Sequence, residues 1–149
     1  MNTVVRKARA EDVEAIFDIR TSVVENHLSR EQLADIGITP ETLSEMLAAD
    51  TGIWIAEVDG KPAAFSSVDD EDGSVFALFV SPLFEGLGLG RLLLHEAETA
   101  LFRNHETIWL ETDGRDGIRA NGFYKKHGWI HVDTMANGDV RYEKRRTTE

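Results

Sequence analysis

The stretch "SPLFEGLGLGRLLL", residues 81–94, places Gly86, Gly88 and Gly90 at alternate positions between an apolar run and a helix-like pattern. Glycine weakens helix and strand interiors, so this clustering marks a backbone that turns tightly or admits a close neighbour. A strand that passes through such a turn into a helix can bind phosphate. Successive backbone N–H groups point into the turn, and the helix dipole adds roughly half a positive charge there. Two familiar phosphate loops do not fit. "EGLGLGRL" lacks the Gly-Lys-Ser/Thr ending of a P-loop, and its G-x-G-x-G spacing is not the G-x-G-x-x-G of dinucleotide folds. A tight strand-to-helix connection, with glycines that only permit packing, accounts for the same spacing.

An anion site would need such a local device, because the 149-residue chain carries a formal net charge of −11. That field repels nucleic acid and anionic membranes and favours cationic ligands. With 42% hydrophobic and 29% charged residues, the composition is that of an ordinary globular protein with one core. The chain has no cysteine, which excludes disulfides and thiolate metal sites. Its histidines, at 27, 95, 105, 127 and 131, show no metal-ligand spacing, so no metal is expected. The opening stretch "MNTVVRKARAEDVE" turns polar and then acidic, unlike a signal peptide, and no apolar run approaches the ~20 residues that cross a bilayer. A cytoplasmic location is expected.

The elements that would position the glycine turn follow from periodicity and punctuation. "TVVRKA" (3–8) reads as a strand, and 10–25 as a helix with Val13, Ile16, Phe17 and Ile19 or Arg20 at helical spacing. Ser29 and Gln32 stand at capping-box spacing, and Thr39-Pro40 opens the next helix. Asp59-Gly60 and Asn137-Gly138 are hairpin signals, with a further turn at 69–74. "VFALFV" (75–80) reads as a central strand covered on both faces. After the glycines, Leu89, Leu93, Ala97 and Leu101 form one stripe of a helix; a strand at 107–112 and a helix at 118–128 follow. The hairpins demand antiparallel neighbours, so the expected fold is a single α/β (α+β) domain over 1–149. It has a mixed, mostly antiparallel sheet flanked by helices.

"LFVSPLFEGLGLGRLLL" resembles the acetyl-CoA-binding motif of the GNAT superfamily of N-acetyltransferases, a strand ending in V-x-P and then Q/R-x-x-G-x-G/A. Val80, Pro82, Gly88 and Gly90 match. "RANGFYKKHGW" (119–129) is similar to a second family segment, with Ala120, Phe123, Tyr124 and Gly128 matching. The resemblance implies the GNAT fold and acetyl-CoA as acetyl donor. Its arm would lie along Leu78, Phe79 and Val80, and its pyrophosphate would be wrapped by Glu85, Gly86, Leu87, Gly88, Leu89, Gly90 and Arg91. Glu85 and Leu87 depart from the family, which has Gln or Arg and often a basic residue there; Arg91 is the nearest candidate to neutralise Glu85. The family's cofactor-contacting asparagine falls on Gly117, so that contact is missing or moves to Asp116 or Asn121.

The resemblance assigns Tyr124 as proton donor to the departing sulfur; packing beside Phe123 is the other reading. Glu111 of "TIWLET" stands where several GNAT enzymes place a base. Strand alternation puts it on one face with Trp109, desolvated if that face is covered and solvent-facing if not. Glu25 and His27 end the first helix near the region that shapes the acceptor site in this family. With Glu31 and Asp35 they suggest an acidic rim suited to a cationic primary amine, in a small molecule or a peptide. The implied activity is direct N-acetyl transfer, and the family also allows a homodimer through the C-terminal strands. An inactive acyl-CoA-binding or interaction module on the same fold is the alternative, and a nucleotide-preferring phosphate protein a third.

Overall fold

The computed structural model describes residues 2–24, 27–49, 52–114 and 119–147. A seven-stranded sheet runs in the order β1-β2-β3-β4-β5-β7-β6. Its strands are β1 (Thr3–Lys7), β2 (Ile53–Val58), β3 (Lys61–Asp69), β4 (Ser74–Val80), β5 (Thr107–Asp113), β6 (Ile130–Thr134) and β7 (Asp139–Arg145). Every neighbouring pair is antiparallel except β4–β5, which is parallel across the helical crossover. The hairpin turns sit where the dipeptides direct them. Asp59 and Gly60 take φ 52° and 80°, the paired left-handed geometry that suits a twisted two-residue hairpin.

Helices cover both faces. On one lie α1 (Val13–Ser22), α2 (Arg30–Asp35) and α3 (Pro40–Ala48), around a core of Ile16, Phe17, Leu33, Leu43, Ile55 and Phe65. On the other lie α4 (Leu89–Leu101) and α5 (Arg119–Lys126). The α4 stripe of Leu89, Leu93, Ala97 and Leu101 is fully buried against the sheet. The Ser29 and Thr39 side chains accept from Gln32 N–H and Thr42 N–H, so α2 and α3 start where their caps put them. Among the described residues no helix is long and apolar enough to cross a membrane.

Two expectations need correction. The segment 10–25 is not one helix: residues 10–12 form a 3-10 turn, and α1 ends at Ser22. The Asp12 carboxylate accepts from Arg9 N–H and binds the Arg6 guanidinium, which fixes the entry. At the exit, Thr21 and Ser22 hydroxyls donate back to the Phe17 and Ile19 carbonyls, and Val23 turns extended. Nor is β4 covered on both faces. Its side chains from Ala77 to Val80 are half-buried, and Phe76 is 60% exposed. The cause is topological. β4 pairs with β5 only at Ser74 and Trp109, and the two strands then separate.

Candidate active site

The opening between β4 and β5 begins at an irregularity in the sheet. Val68 pairs with Val75 and Ser67 with Ala77, leaving Phe76 as an extra residue of β4. Such a bulge bends its strand and increases its twist, and it carries β4 away from β5. From Phe76 onward the β5-facing backbone edge of β4 has no strand partner among the described residues, so its alternating N–H and C=O groups are open to a ligand.

That edge leads into the glycine turn. The Ser81 hydroxyl accepts from Leu83 N–H at 3.4 Å and caps the 3-10 turn Pro82–Phe84. Glu85 (φ −65°, ψ 155°) then precedes Gly86 at φ 80°, and Gly88 (φ 78°, ψ 15°) caps α4 without a side chain. Residues with a Cβ are strained in this left-handed region. A Cβ on Gly86 would meet nothing within 4 Å, and one on Gly88 only the Arg91 guanidinium at 4.0 Å. These two glycines therefore serve backbone conformation and open space. Gly90 serves packing: a Cβ there would lie 3.4 Å from Phe123 and 3.9 Å from Val80.

The first amide to enter the α4 ladder is that of Leu92, donating to the Gly88 carbonyl at 3.2 Å. The N–H groups of Gly88, Leu89, Gly90 and Arg91 have no carbonyl within the helix, and the first turn of α4 contains no acid. Donors without a helical partner and the dipole together suit an anion despite the acidic chain. Glu85 does not spoil it. Its carboxylate binds the Arg119 guanidinium at 2.8 Å, which holds the carboxyl below its usual range. The partner is Arg119 of α5, not Arg91 as the sequence suggested; the signal was an arginine beside the "ANGFY" segment.

Tyr124 projects from α5 into the core that underlies the same opening. Its ring centroid lies 5.4 Å from Phe123 and 6.0 Å from both Trp129 and Tyr142. Only 7% of the residue is exposed, and among the described residues its hydroxyl makes no hydrogen bond. Burial pushes its pKa up, so the hydroxyl is a protonated donor at neutral pH. The helix is closed below it by Gly128 at φ 91° and by Trp129 N–H donating to the Tyr124 carbonyl.

The acetyltransferase (GNAT) domain model matches residues 49–131, which holds β4, the glycine turn, α4, β5 and α5. The chain belongs to the GNAT family. A curated archaeal relative, an uncharacterized N-acetyltransferase of Archaeoglobus fulgidus, is 36% identical over 99 residues, 58% of this chain and 65% of the relative. A second, from Methanocaldococcus jannaschii, is 29% identical over 106 residues, 63% of this chain and 45% of the relative. The chain thus aligns with less than two thirds of either relative. The fold is similar to that of the PaiA N-acetyltransferase of Thermoplasma acidophilum, solved in complex with coenzyme A. The TM-score is 0.71 at 20% identity, covering 98% of this chain and 100% of that one.

In this GNAT chain the other expected residues fall differently. Leu78, Phe79 and Val80 line the β4 side of the opening, with the glycine turn at its end. Glu111 shares a face with Trp109, as alternation requires, and of the two readings the solvent-facing one holds. Glu111 is exposed, with the Arg141 guanidinium 3.6 Å away and stacked 4.0 Å from the Trp109 ring. Gly117, Asp116 and Glu25 lie outside the described residues. Asn121 is engaged elsewhere, donating to the Asp113 carbonyl and accepting from the Tyr142 hydroxyl. His27 is exposed, with Nδ1 3.0 Å from the Val23 carbonyl, and Glu31 and Asp35 face solvent on α2. None of those three lines the cavity of about 970 Å³ formed by α1–α3, β2–β4 and the C-terminal part of α4. Arg20 and Ser67 do line it. Neither stood out in the sequence, although an arginine at i+4 from Ile16 on an apolar helix stripe was visible there.

Proposed function

We propose that the chain transfers the acetyl group of acetyl-CoA to a primary amine by direct attack. The observation that carries this reading is the free β4 edge running into the unpaired amides at the start of α4. Those amides suit a pyrophosphate, the half-buried apolar side chains of Leu78 and Val80 suit a pantetheine arm, and the β4 backbone can hold its amides. Bound there, acetyl-CoA supplies an activated thioester. In the balanced reaction, the amine nitrogen forms an amide bond as the C–S bond breaks. Two protons leave the alkylammonium nitrogen in all: a base passes one to solvent, and the other makes good the proton that the departing thiol carries away.

The protein's own groups divide that work by face. Ile108 and Leu110 of β5 point to the α4–α5 core, where Tyr124 lies, while Trp109 and Glu111 point the opposite way. Tyr124 is suited to donate to the departing sulfur from one side. Glu111, directly or through water, is suited to take the amine proton on the other. An ordinary alkylammonium has a pKa of ~10.4, so this deprotonation is a necessary step at neutral pH.

Thiol release from acetyl-CoA with a primary-amine panel tests the reading. Tyr124→Phe should lower kcat about 100-fold or more, the usual scale for losing a positioned acid, with CoA affinity unchanged. A variant as fast as the parent would remove Tyr124 from the mechanism. A parent that binds acetyl-CoA and acetylates no amine would make the chain a binding module.

A further inference from the structure

The cavity beside β4 carries polar groups that binding an acetyl donor does not use. Phe17 of α1 and Leu43 of α3 wall its helical side, and Phe65 of β3 and Phe79 of β4 wall its sheet side. Among the lining residues from α1, α2, α3 and β4, Arg20 is the single charged one. Its guanidinium carbon stands 4.1 Å from the Phe79 ring centroid, and the side chain is half-buried. A second polar group faces the same space. Ser67 is 4% exposed and lines the cavity, and its hydroxyl has no hydrogen-bond partner among the described residues. Buried hydroxyls are nearly always bonded, so an orphan in a cavity wall points to a partner that arrives from outside.

We infer that the acceptor is an amine that also carries a carboxylate, held between Arg20 and Ser67. This rests on the acetyl-transfer reading above. A guanidinium stacked on a ring presents its N–H fork in its own plane, where a carboxylate can accept two bonds. The apolar walls strengthen that pairing by excluding water, and a purely cationic acceptor would meet Arg20 as a like charge. Ser67 pairs with Ala77, and Arg20 lies over the ring of Phe79, two residues further along β4 on the same face. An α-amino acid would lie along this face of β4, its carboxylate on Arg20 and its amine toward the Ser67 hydroxyl near the bulge where β4 leaves β5. The aromatic and aliphatic walls select an apolar side chain. Away from Arg20 the lining mixes Asp69, Asp70, Glu71 and Glu96 with Lys7 and Arg103, so the carboxylate-binding cation stands apart from a rim of both signs in which acids outnumber bases. The product would be an N-acetylamino acid, with CoA released as the thiol.

The experiment compares L-leucine, L-methionine and L-phenylalanine with their amides and decarboxylated amines, by thiol release at saturating acetyl-CoA. At least one free acid should exceed its amide and amine by tenfold or more in kcat/KM. Arg20→Met should raise KM for that acid at least tenfold and leave the amide unchanged; Arg20→Lys, which keeps the charge without the fork, should fall between. Ser67→Ala should raise KM for both. Thermal shifts with each acid and amide in the absence of donor give a second readout, which guards against a variant that folds poorly. Amides or amines used as well as the acids would overturn the proposal, as would no turnover of the panel by a parent that binds acetyl-CoA. Failure to bind acetyl-CoA would instead overturn the transfer reading beneath it.

Discussion

Replacing Gly88 with alanine perturbs the glycine turn where its left-handed backbone starts α4. Gly88 sits at φ 78°, ψ 15°. An L-residue there costs about 1–2 kcal/mol, offset by about 0.4–1 kcal/mol from the smaller freedom of the unfolded chain, so the net loss is about 1 kcal/mol. For a chain of this size that lowers Tm by about 2–4 °C. Gly60→Ala is the matched control, since Gly60 lies in the β2–β3 turn at φ 80°, where an added Cβ would meet nothing within 4 Å. The two variants should melt alike and bind differently. If the backbone at 88 relaxes to negative φ, the following N–H groups swing away from a common focus. A hydrogen bond to a charged group contributes about 1.5–3 kcal/mol, so losing one weakens CoA about tenfold to a hundredfold. Calorimetric titration of CoA into both variants reads this directly. Equal affinities in the two would refute the assignment of the turn as the pyrophosphate site.

Glu85→Gln should tighten CoA about twofold to threefold, the modest scale of an exposed charge, while Arg119→Ala should weaken it and Glu85→Gln/Arg119→Ala should return close to the parent. Titrations of these three variants at low and physiological salt check the set, and the differences should shrink with salt. A pH dependence of stability follows from Asp12. Its carboxyl is held below its ordinary value, first by the Arg6 hydrogen bond. A depressed folded pKa gives stability that is fully present above the unfolded value of about 3.9 and is lost as pH falls through the folded one. Urea midpoints should therefore drop below about pH 4 in the parent and flatten there in Asp12→Asn, and parallel profiles would contradict the role given to this pair.

What the sequence made legible was local. The caps at Ser29 and Thr39, the turn dipeptides and the α4 stripe each act within a few residues, and each element formed where they direct it. The glycine turn was legible for the same reason, because left-handed backbone and an open helix start need no distant partner. The separation of β4 from β5 was not. The run "VFALFV" is apolar whether a neighbouring strand or a ligand covers it, and only the single Ser74–Trp109 pairing distinguishes the two. Glu85 looked unfavourable because its partner Arg119 is 34 residues away. The acids of α2 looked like an acceptor rim because exposure cannot be told from a pocket lining by composition. Arg20 and Ser67, which do line the cavity, are single polar residues in apolar patterns whose meaning depends on the opposite wall.

Thermal unfolding with CoA or acetyl-CoA, compared with NAD and ATP, is the decisive measurement for the cofactor site. Ligand at a hundred times its Kd stabilises the fold by about 2.7 kcal/mol, a rise of roughly 5–10 °C for this chain length. That rise is expected with CoA and acetyl-CoA, and a much smaller one with NAD or ATP. No shift at millimolar acetyl-CoA, or a larger one with a nucleotide, would contradict the reading of the β4 edge and the glycine turn as an acetyl-CoA site.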